Sequence, residues 1–164
     1  MSREFDGQIL AQVAELGLPR NDEFILTDSS ALAEWGVIPF DEVGDIDGVT
    51  TQENIDYLRR KIGWKIIERT VGYKQDGRRV RVTAVGDEAK VFDIHPHGFS
   101  MYDHNRTGNG RIQPSDLIEF STQDPATGLW VARIDYIDRT KRETGRAKDE
   151  LRRLAIREYL QRRL

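Results

Sequence analysis

The sequence predicts an α/β (α+β) fold, a mixed and mostly antiparallel sheet packed by helices, with a long helix at the C-terminus. Three observations predict it. Apolar residues recur at helical spacing in three segments before residue 63, short apolar runs separate those segments, and residues 64–95 read as antiparallel strands. The 164 residues contain no repeat, low-complexity segment or Pro/Gly-rich linker, so we expect a single domain over 1–164.

Helices and short strands alternate along the first 63 residues. Thr50 and Glu53 have the spacing of a capping box and predict the start of the third helix, and Gly63 predicts its end. Apolar spacing and turn residues predict the other elements: a helix through Ile9, Val13 and Leu16, a strand over 23–27, a helix of one to two turns through Ala31, Leu32 and Trp35, and a strand over 45–49.

The second half of the chain begins with strands and ends with a helix. The run WKIIERTVGY, a turn at Gln75-Asp76-Gly77 and the run RRVRVTAV predict a hairpin, and AKVFDIH predicts the next strand. Residues 97–115 are rich in Gly, Asn, Asp and Ser and are predicted to form a loop. One arc of the terminal helix is predicted to face the core: Ala147, Leu151, Leu154, Ala155 and Tyr159.

Charge is distributed unevenly along the chain. The net charge is −3, but residues 139–164 carry ten basic and four acidic side chains, a net charge of +6, which leaves −9 on the first 138 residues. An acidic body argues against a general nucleic-acid surface. It suits either a carboxylate site that recruits metal cations or a cationic substrate.

Composition excludes several classes of site. The chain has no cysteine, so disulfides, zinc–thiolate sites and cysteine nucleophiles are ruled out. No apolar run approaches the roughly 18 residues of a membrane span, and the first residues lack the basic-then-apolar pattern of a secretion signal. We therefore expect a cytoplasmic protein with no membrane partner.

Three aspartates are the candidate catalytic and metal-binding residues. Asp45 and Asp47 lie two positions apart on a predicted strand, so both carboxylates leave the same face while Ile46 points into the core. Neighbouring acids repel each other unless a cation offsets them, and oxygen ligands of this kind suit Mg²⁺, with Mn²⁺ as the other candidate. From this pair alone, a solvated strand end is an equally good interpretation.

Asp93 strengthens the metal interpretation. It lies in the apolar run KVFDIH, where an unpaired charge would be costly. At the centre of the sheet it would meet Asp45 and Asp47, and three carboxylates can hold two metal ions that clamp the attacking and leaving oxygens of a displacement at phosphorus. Asp93 is also a candidate to take the proton of the acceptor hydroxyl.

Two further features complete the candidate site. Ser29 and Ser30 open a short helix directly after a strand, where hydroxyls and backbone N–H groups can hold phosphate oxygens; a plain N-cap is the alternative. His95 shares the strand face of Asp93 and is a weaker candidate substrate contact, with a structural hydrogen bond as the alternative. A transition-metal site that also uses His97 and His104 has no supporting spacing.

These residues resemble the polymerase-beta-type nucleotidyltransferase superfamily. The order LTDSSALAEWGV, GDIDG, VFDIHP follows its pattern of a small turn before a helix, then D-x-D, then a third acid on a later strand. The segments DIHPHGFSMYDHNRTGNG and KRETGRAKDELRRLAIREYL are similar to the aminoglycoside and lincosamide nucleotidyltransferase-like branch. The likeness covers about residues 15–160.

The resemblance implies a nucleotidyltransferase fold and a metal-dependent reaction. In that reaction a nucleoside monophosphate moves from an NTP, ATP in the first instance, to a hydroxyl of a small molecule, and pyrophosphate is released. By position, Asp45 and Asp47 would bind both metal ions, Asp93 would complete the site and Ser29 would contact the triphosphate. Three basic residues match family positions that contact phosphate or pack: Lys141, Arg146 and Lys148, of which Lys141 and Arg146 are the candidate nucleotide-binding residues.

The sequence departs from this pattern at Asp28, where the family has glycine. A carboxylate there would repel a triphosphate unless it turns outward or is neutralised, so a degenerate, non-catalytic ligand-binding member is one alternative. The other is a toxin-like nucleotidyltransferase that acts on RNA or protein, which the +6 tail suggests. Because 164 residues leave little room for an acceptor-binding domain, a homodimer could complete the cleft.

Overall fold

The computed structural model describes residues 4–72, 77, 79–89, 91–96, 98–99 and 111–164. The helices in these ranges are α1 (Gln8–Ala14), α2 (Asp28–Glu34), α3 (Gln52–Tyr57), α4 (Pro114–Leu117), α5 (Ile134–Thr144) and α6 (Ala147–Arg162). The strands are β1 (Phe24–Leu26), β2 (Ile46–Thr50), β3 (Lys65–Gly72), β4 (Arg79–Gly86), β5 (Phe92–His95), β6 (Gly98–Phe99), β7 (Arg111–Ile112), β8 (Ser121–Gln123) and β9 (Trp130–Ala132).

Seven strands form one mixed sheet in the order β3-β4-β5-β2-β1-β9-β8, and β6 pairs with β7 in a separate ribbon. In the large sheet β2 runs parallel to β5 and β1 runs parallel to β9, and the other neighbouring pairs are antiparallel. The predicted mixed, mostly antiparallel sheet with helices and a C-terminal helix is therefore confirmed. The parallel pairing of β2 with β5 is what joins the two segments that carry the candidate aspartates.

The core lies around the central strands, because these strands are apolar on both faces. Phe24, Ile25 and Leu26 of β1 are all fully buried. On the neighbouring strand Gly48 leaves room for the Phe24 ring, since a Cβ atom at Gly48 would come within 2.3 Å of it. The close approach of β1 and β2 thus depends on Gly48, which directly follows the candidate residue Asp47.

The predicted helices and strands of the first 63 residues are present, with one corrected start. α3 begins at Gln52 after Thr51, and not after Thr50 as the capping-box spacing predicts. Thr50 remains in β2, where its hydroxyl donates to the carbonyl of Glu23 and accepts from the amide of Asn54. Because that hydroxyl already links β2 to its neighbours, it does not cap the helix.

The second half of the chain contains elements that the sequence analysis does not predict. The segment 97–115, predicted to be a loop, contains β6, β7 and the start of α4; its residues 97 and 100–110 lie outside the described residues. The later elements α5, β8 and β9 also lie where no element is predicted. Strands of two or three residues and a helix of four are too short to show a hydrophobic period. α5 is long enough, but two of its four buried residues are charged (Lys141 and Glu143), so polarity does not mark its buried face.

The terminal helix α6 turns to the core an arc that only partly matches the predicted one: Tyr159 is buried and Ala155 packs against the core as predicted, but Ala147, Leu151 and Leu154 are exposed. Leu151 and Leu154 are 66% and 48% exposed, whereas Ile156 and Tyr159 are buried. Asp149 is also fully buried on this helix. The apolar pattern misplaces part of the buried face of α6 because an acidic residue, Asp149, occupies one of the buried positions.

Candidate functional site

The three candidate aspartates lie on one face of the sheet. Asp47 of β2 is the register partner of Asp93 on the parallel strand β5, so the two side chains project from the same face of neighbouring strands. Asp45 directly precedes β2 and shares this face because it lies two residues from Asp47. The structure therefore brings Asp93 beside the Asp45/Asp47 pair.

Helix α2 fixes the backbone of this segment through Ser30. The Ser30 hydroxyl donates to the carbonyl of Asp45 at 3.3 Å and accepts the backbone N–H of Asp47 at 3.0 Å. Ser30 is fully buried. It therefore positions the two aspartates, and its hydroxyl does not reach the surface where a nucleotide would bind.

Arg69 of β3 contacts two of the three carboxylates. Its Nη2 lies 3.8 Å from Asp45 Oδ2, and its Nε lies 3.3 Å from Asp93 Oδ2. No motif in the sequence marks Arg69, because its strand is separated from β5 by β4 and the contact depends on how three strands align. Alternation along β3 gives the face of Arg69 but not its partners.

His95 contacts the other oxygen of Asp93. Its Nε2 lies 3.3 Å from Asp93 Oδ1, and its Nδ1 lies 3.2 Å from the carbonyl oxygen of Thr83. Both ring nitrogens face oxygen acceptors. His95 thus reaches the site through Asp93, whereas His97 and His104 lie outside the described residues.

Charge is not balanced equally over the aspartates. Burial and the nearby carboxylates, that of Asp28 first, raise the pKa of Asp47 well above its usual value. Burial also disfavours the charged form of Asp93, but His95 and Arg69 outweigh it and lower the pKa of Asp93. No residue that the structure describes donates a hydrogen bond or an ion pair to the Asp47 carboxylate.

The donor set suits a hard divalent cation, although the side chains do not enclose one. Asp93 Oδ1 is buried without a hydrogen bond of good geometry. Asp47 forms no direct ion pair with a described residue, and Lys141 offsets only part of the repulsion that it meets. Within the described ranges, no three His, Asp or Glu side chains are arranged to hold a metal ion. Arg69 lies between Asp45 and Asp93 instead. The donor atoms are therefore of the kind that suits Mg²⁺, and in this structure Arg69 occupies the space between two of them.

A second cluster of charges includes Asp28. Lys141 of α5 places its Nζ 3.0 Å from Asp28 Oδ1 and 3.4 Å from Asp149 Oδ1. Arg146 Nε lies 2.9 Å from Asp149 Oδ2, and the Thr144 hydroxyl donates to the same oxygen at 2.7 Å. Lys141 and Asp149 are buried. Two of the three basic residues that the resemblance singles out, Lys141 and Arg146, thus share one buried carboxylate, whereas Lys148 is exposed.

Asp28 has the backbone conformation of a glycine position. Its φ is 55°, and no other non-glycine residue among those described has a positive φ. Aspartate tolerates this region better than most residues do. Burial opposes ionisation of Asp28, but Lys141 outweighs it and lowers the pKa of that carboxyl group. The sequence leaves two ways in which Asp28 could be compatible with a triphosphate: its side chain turns outward, or its carboxylate is neutralised. In the structure the carboxylate is neutralised by Lys141.

Ser29 contacts a residue that the basic pattern of α6 assigns to its solvated face. Arg152 Nε donates to Ser29 Oγ at 3.2 Å, and the same guanidinium binds the Glu42 carboxylate at 3.1 Å and the Glu42 carbonyl at 2.8 Å. The Arg152 side chain is only 19% exposed. Sequence reasoning missed it because its partners lie more than a hundred residues away in the chain.

A concave surface outside the carboxylate site carries cations. The cavity has a volume of about 460 Å³ and is lined by Arg59, Arg60, Gly63, Trp64, Lys65 and Ile66. Among the side chains that the structure describes, no acid pairs with Arg59, Arg60 or Lys65. Arg59 and Arg60 lie in the π-helical turn Leu58–Ile62, which continues α3 at its C-terminal end, where the helix dipole also favours cations. The surface is therefore suited to an anion. The helix dipole by itself accounts for part of this concentration of cations.

Comparisons with known proteins identify no relative of this chain. No protein-family model, no curated protein and no solved structure matches it significantly. In the part of the chain that the structure describes, no helix has the length and apolar character needed to cross a membrane.

Proposed function

We propose that this protein is a metal-dependent nucleotidyltransferase of the polymerase-beta type, which transfers a nucleoside monophosphate from an NTP to a hydroxyl of a small molecule. The observation that carries the proposal is the register pairing of Asp47 with Asp93 on parallel strands, with Asp45 on the same face. A two-metal displacement at phosphorus needs carboxylates held on rigid elements in this way. Mg²⁺ is the proposed ion, and Mn²⁺ would replace it.

The aspartates have distinct parts in this mechanism. Asp45, Asp47 and Asp93 would hold the divalent ions, which lower the pKa of the acceptor hydroxyl and offset the charge of the triphosphate. The lowered pKa of Asp93 keeps it ionised at neutral pH, so it can accept the hydroxyl proton as the oxygen attacks the α-phosphorus. The bond from the α-phosphorus to the bridging oxygen breaks, and pyrophosphate leaves.

The turn at the start of α2 supports the triphosphate part of the proposal. Asp28 stands where the family pattern has glycine, and its positive φ is the conformation that favours glycine. Lys141 neutralises its carboxylate, which removes the repulsion that a phosphate would meet there. We assign the triphosphate contacts to Ser29 and to Arg146, whose side chain is 54% exposed beside this cluster.

Calorimetry and turnover test the proposal together. The protein should bind ATP only when Mg²⁺ is present, and it should release pyrophosphate when a panel of small hydroxyl compounds is supplied. Asp45→Asn and Asp93→Asn should each lower turnover by about 100-fold or more, because only negative charge at the metal is lost. Asp41→Asn, at an exposed aspartate before the site, is the matched control and should keep full activity.

Two results would contradict the proposal. The absence of heat on mixing with Mg–ATP would leave a non-catalytic ligand-binding protein, an interpretation that the contact of Arg69 with Asp45 and Asp93 also favours. Full turnover in both asparagine variants would exclude the metal mechanism and leave the fold without an assigned activity.

A second candidate function has RNA as the hydroxyl acceptor, and the concave basic surface favours it. If it holds, the protein binds tRNA, and each lost phosphate contact lowers the slope of log affinity against log salt by about 0.7 to 0.9. The triple variant Arg59→Gln/Arg60→Gln/Lys65→Gln measures the contribution of this surface to RNA binding. The matched triple variant of the terminal helix is Arg157→Gln/Arg162→Gln/Arg163→Gln. Indifference of the protein to RNA would exclude this function.

A further inference from the structure

Arg69 is the charged group at the site for which the proposed function gives no role. Its guanidinium reaches from β3 to Asp45 and Asp93, the residues proposed as metal ligands. The acid next to it in the sequence, Glu68, pairs with Arg81 instead. Among the described residues, Arg69 therefore has only the site carboxylates as ionic partners.

The contacts of Arg69 are long for charge-assisted hydrogen bonds. Charge-assisted N–H···O bonds are usually about 2.7–2.9 Å long. The Arg69 contacts are 3.3 Å and 3.8 Å, and Arg69 Nε is buried without a hydrogen bond of good geometry. The facing oxygen of Asp93 is not the orphaned one, since that is Oδ1. Neither Arg69 nor Asp93 is fully satisfied by the other.

We propose that Arg69 is the resident counter-ion of the carboxylate site and competes with the divalent cation for Asp45 and Asp93. The inference rests on the proposed function and adds the residue that sets the affinity of the site for metal. A guanidinium supplies one positive charge and, in the described structure, pairs only with Asp45 and Asp93, which leaves a net charge of −2 on Arg69 and the three carboxylates. A divalent ion in its place supplies two charges and reduces that net charge to −1.

The position of β3 allows the exchange. β3 is an edge strand of the sheet, with β4 as its only neighbour in the sheet as described. The Arg69 side chain is 36% exposed, so its head can turn towards solvent without unpacking the core. Asp93 keeps its contact with His95 on the other oxygen when Arg69 leaves. The conformation with Arg69 on the carboxylates is thus a metal-free state that a divalent ion converts.

Binding of Mn²⁺ alone, followed by the loss of the free-ion signal in electron paramagnetic resonance, tests the inference. Arg69→Gln should bind Mn²⁺ about 3- to 30-fold more tightly than the unmodified protein, because the competing state is removed. Arg69→Lys should lie between the two, since one ammonium cannot contact both carboxylates. Arg81→Gln is the matched control on the same hairpin, and its Mn²⁺ affinity should not change.

The outcomes separate this inference from the proposed function. Equal Mn²⁺ affinity in the unmodified protein and Arg69→Gln would overturn the inference and leave the metal site standing. Absence of Mn²⁺ binding by both proteins would overturn the metal site and the inference together. Thermal melting in EDTA checks that Arg69→Gln folds; if it does not, Arg69→Lys takes its place, and an affinity no tighter than that of the unmodified protein overturns the inference.

Discussion

Asp47 is the residue at which the site and the stability of the fold are in conflict. Its carboxylate is partly buried and lies beside other carboxylates, and the attraction of Lys141 only partly offsets their repulsion because no described residue forms a direct ion pair with it. These features raise the pKa of Asp47 well above its usual value. Groups with such perturbed environments cluster at functional sites, where the charge serves a ligand.

Replacing Asp47 with Asn should therefore stabilise the metal-free protein at pH 7. Because the folded-state pKa is raised, the cost of the ionised carboxylate is absent below its unfolded pKa near 3.8 and appears as pH rises through the folded value. Each kcal/mol of this electrostatic cost that the substitution removes should raise the melting temperature by about 2–4 °C. Thermal melts in EDTA at pH 7 and pH 3.5 check this, with Asp41→Asn as the neutral control. A melting temperature below that of the unmodified protein at pH 7 would contradict it.

At this scale the sequence predicts what alternation along a strand determines. The shared face of Asp45 and Asp47 follows from their spacing of two, and the position of Asp93 in an apolar run indicates a buried charge. The sequence does not predict Arg69 or Arg152. Each reaches the site from an element that touches it only in three dimensions, and basic residues on strands and helices are usually solvated.

The junction of α5 and α6 fixes the charged cluster beside the site. α5 ends at Gly145, whose φ of 61° is left-handed, and α6 begins directly after Arg146. Asp149 in the first turn of α6 accepts the backbone N–H of Arg146 at 3.1 Å, besides its ion pairs with Lys141 and Arg146. Burial opposes its ionisation, but these donors hold the pKa of Asp149 at about 2.

Asp149→Asn should destabilise the protein, with the effect greatest near neutral pH. A folded pKa of about 2 against a usual 3.8 corresponds to about 2 kcal/mol, present above pH 3.8 and lost as pH falls through 2. Urea unfolding at pH 7 and pH 2.5 measures it. Glu150→Gln, which breaks only an exposed pair at 3.6 Å, should cost less than about 0.5 kcal/mol. An equal loss in both variants would show that Asp149 is not a structural ion.

For a helix that the sequence does predict, the face that turns to the core is the least well predicted property. The existence of α6 follows from its length and composition, but Leu151 and Leu154 face solvent while Asp149 faces the core. A hydrophobic pattern assigns buried positions by polarity, so it fails where a charge is buried with partners from another helix. The same cluster that misleads the pattern is the one that neutralises Asp28.

The whole molecule is built on one sheet that interleaves distant parts of the chain. β9 lies between β1 and β8, and β5 lies between β2 and β4. Neither parallel pairing joins strands that follow each other in the sequence. The sequence predicts a mixed sheet from the order of its elements, but the strand order requires knowing which strands pair across long connections. The three-residue strands β8 and β9 give too little pattern for that.

This interleaving predicts that the protein unfolds in a single cooperative transition. Trp64 packs on Phe92 with a centroid distance of 4.6 Å, whereas the indoles of Trp130 and Trp35 donate to the carbonyls of Asp22 and Ala132 at 2.8 Å. The three tryptophans therefore report on both ends of the sheet, and Trp64→Phe leaves only those near β9. In Trp130→Phe the lost hydrogen bond should cost about 1 kcal/mol and lower the urea midpoint by a few tenths of a molar. Within Trp130→Phe, and within Trp64→Phe, the midpoints from fluorescence and far-UV circular dichroism should coincide, because no part of the sheet is stable without the rest. Separate midpoints in either variant would mean that the two ends of the sheet belong to independent units, and a site on β2 and β5 would then not depend on α5 and α6.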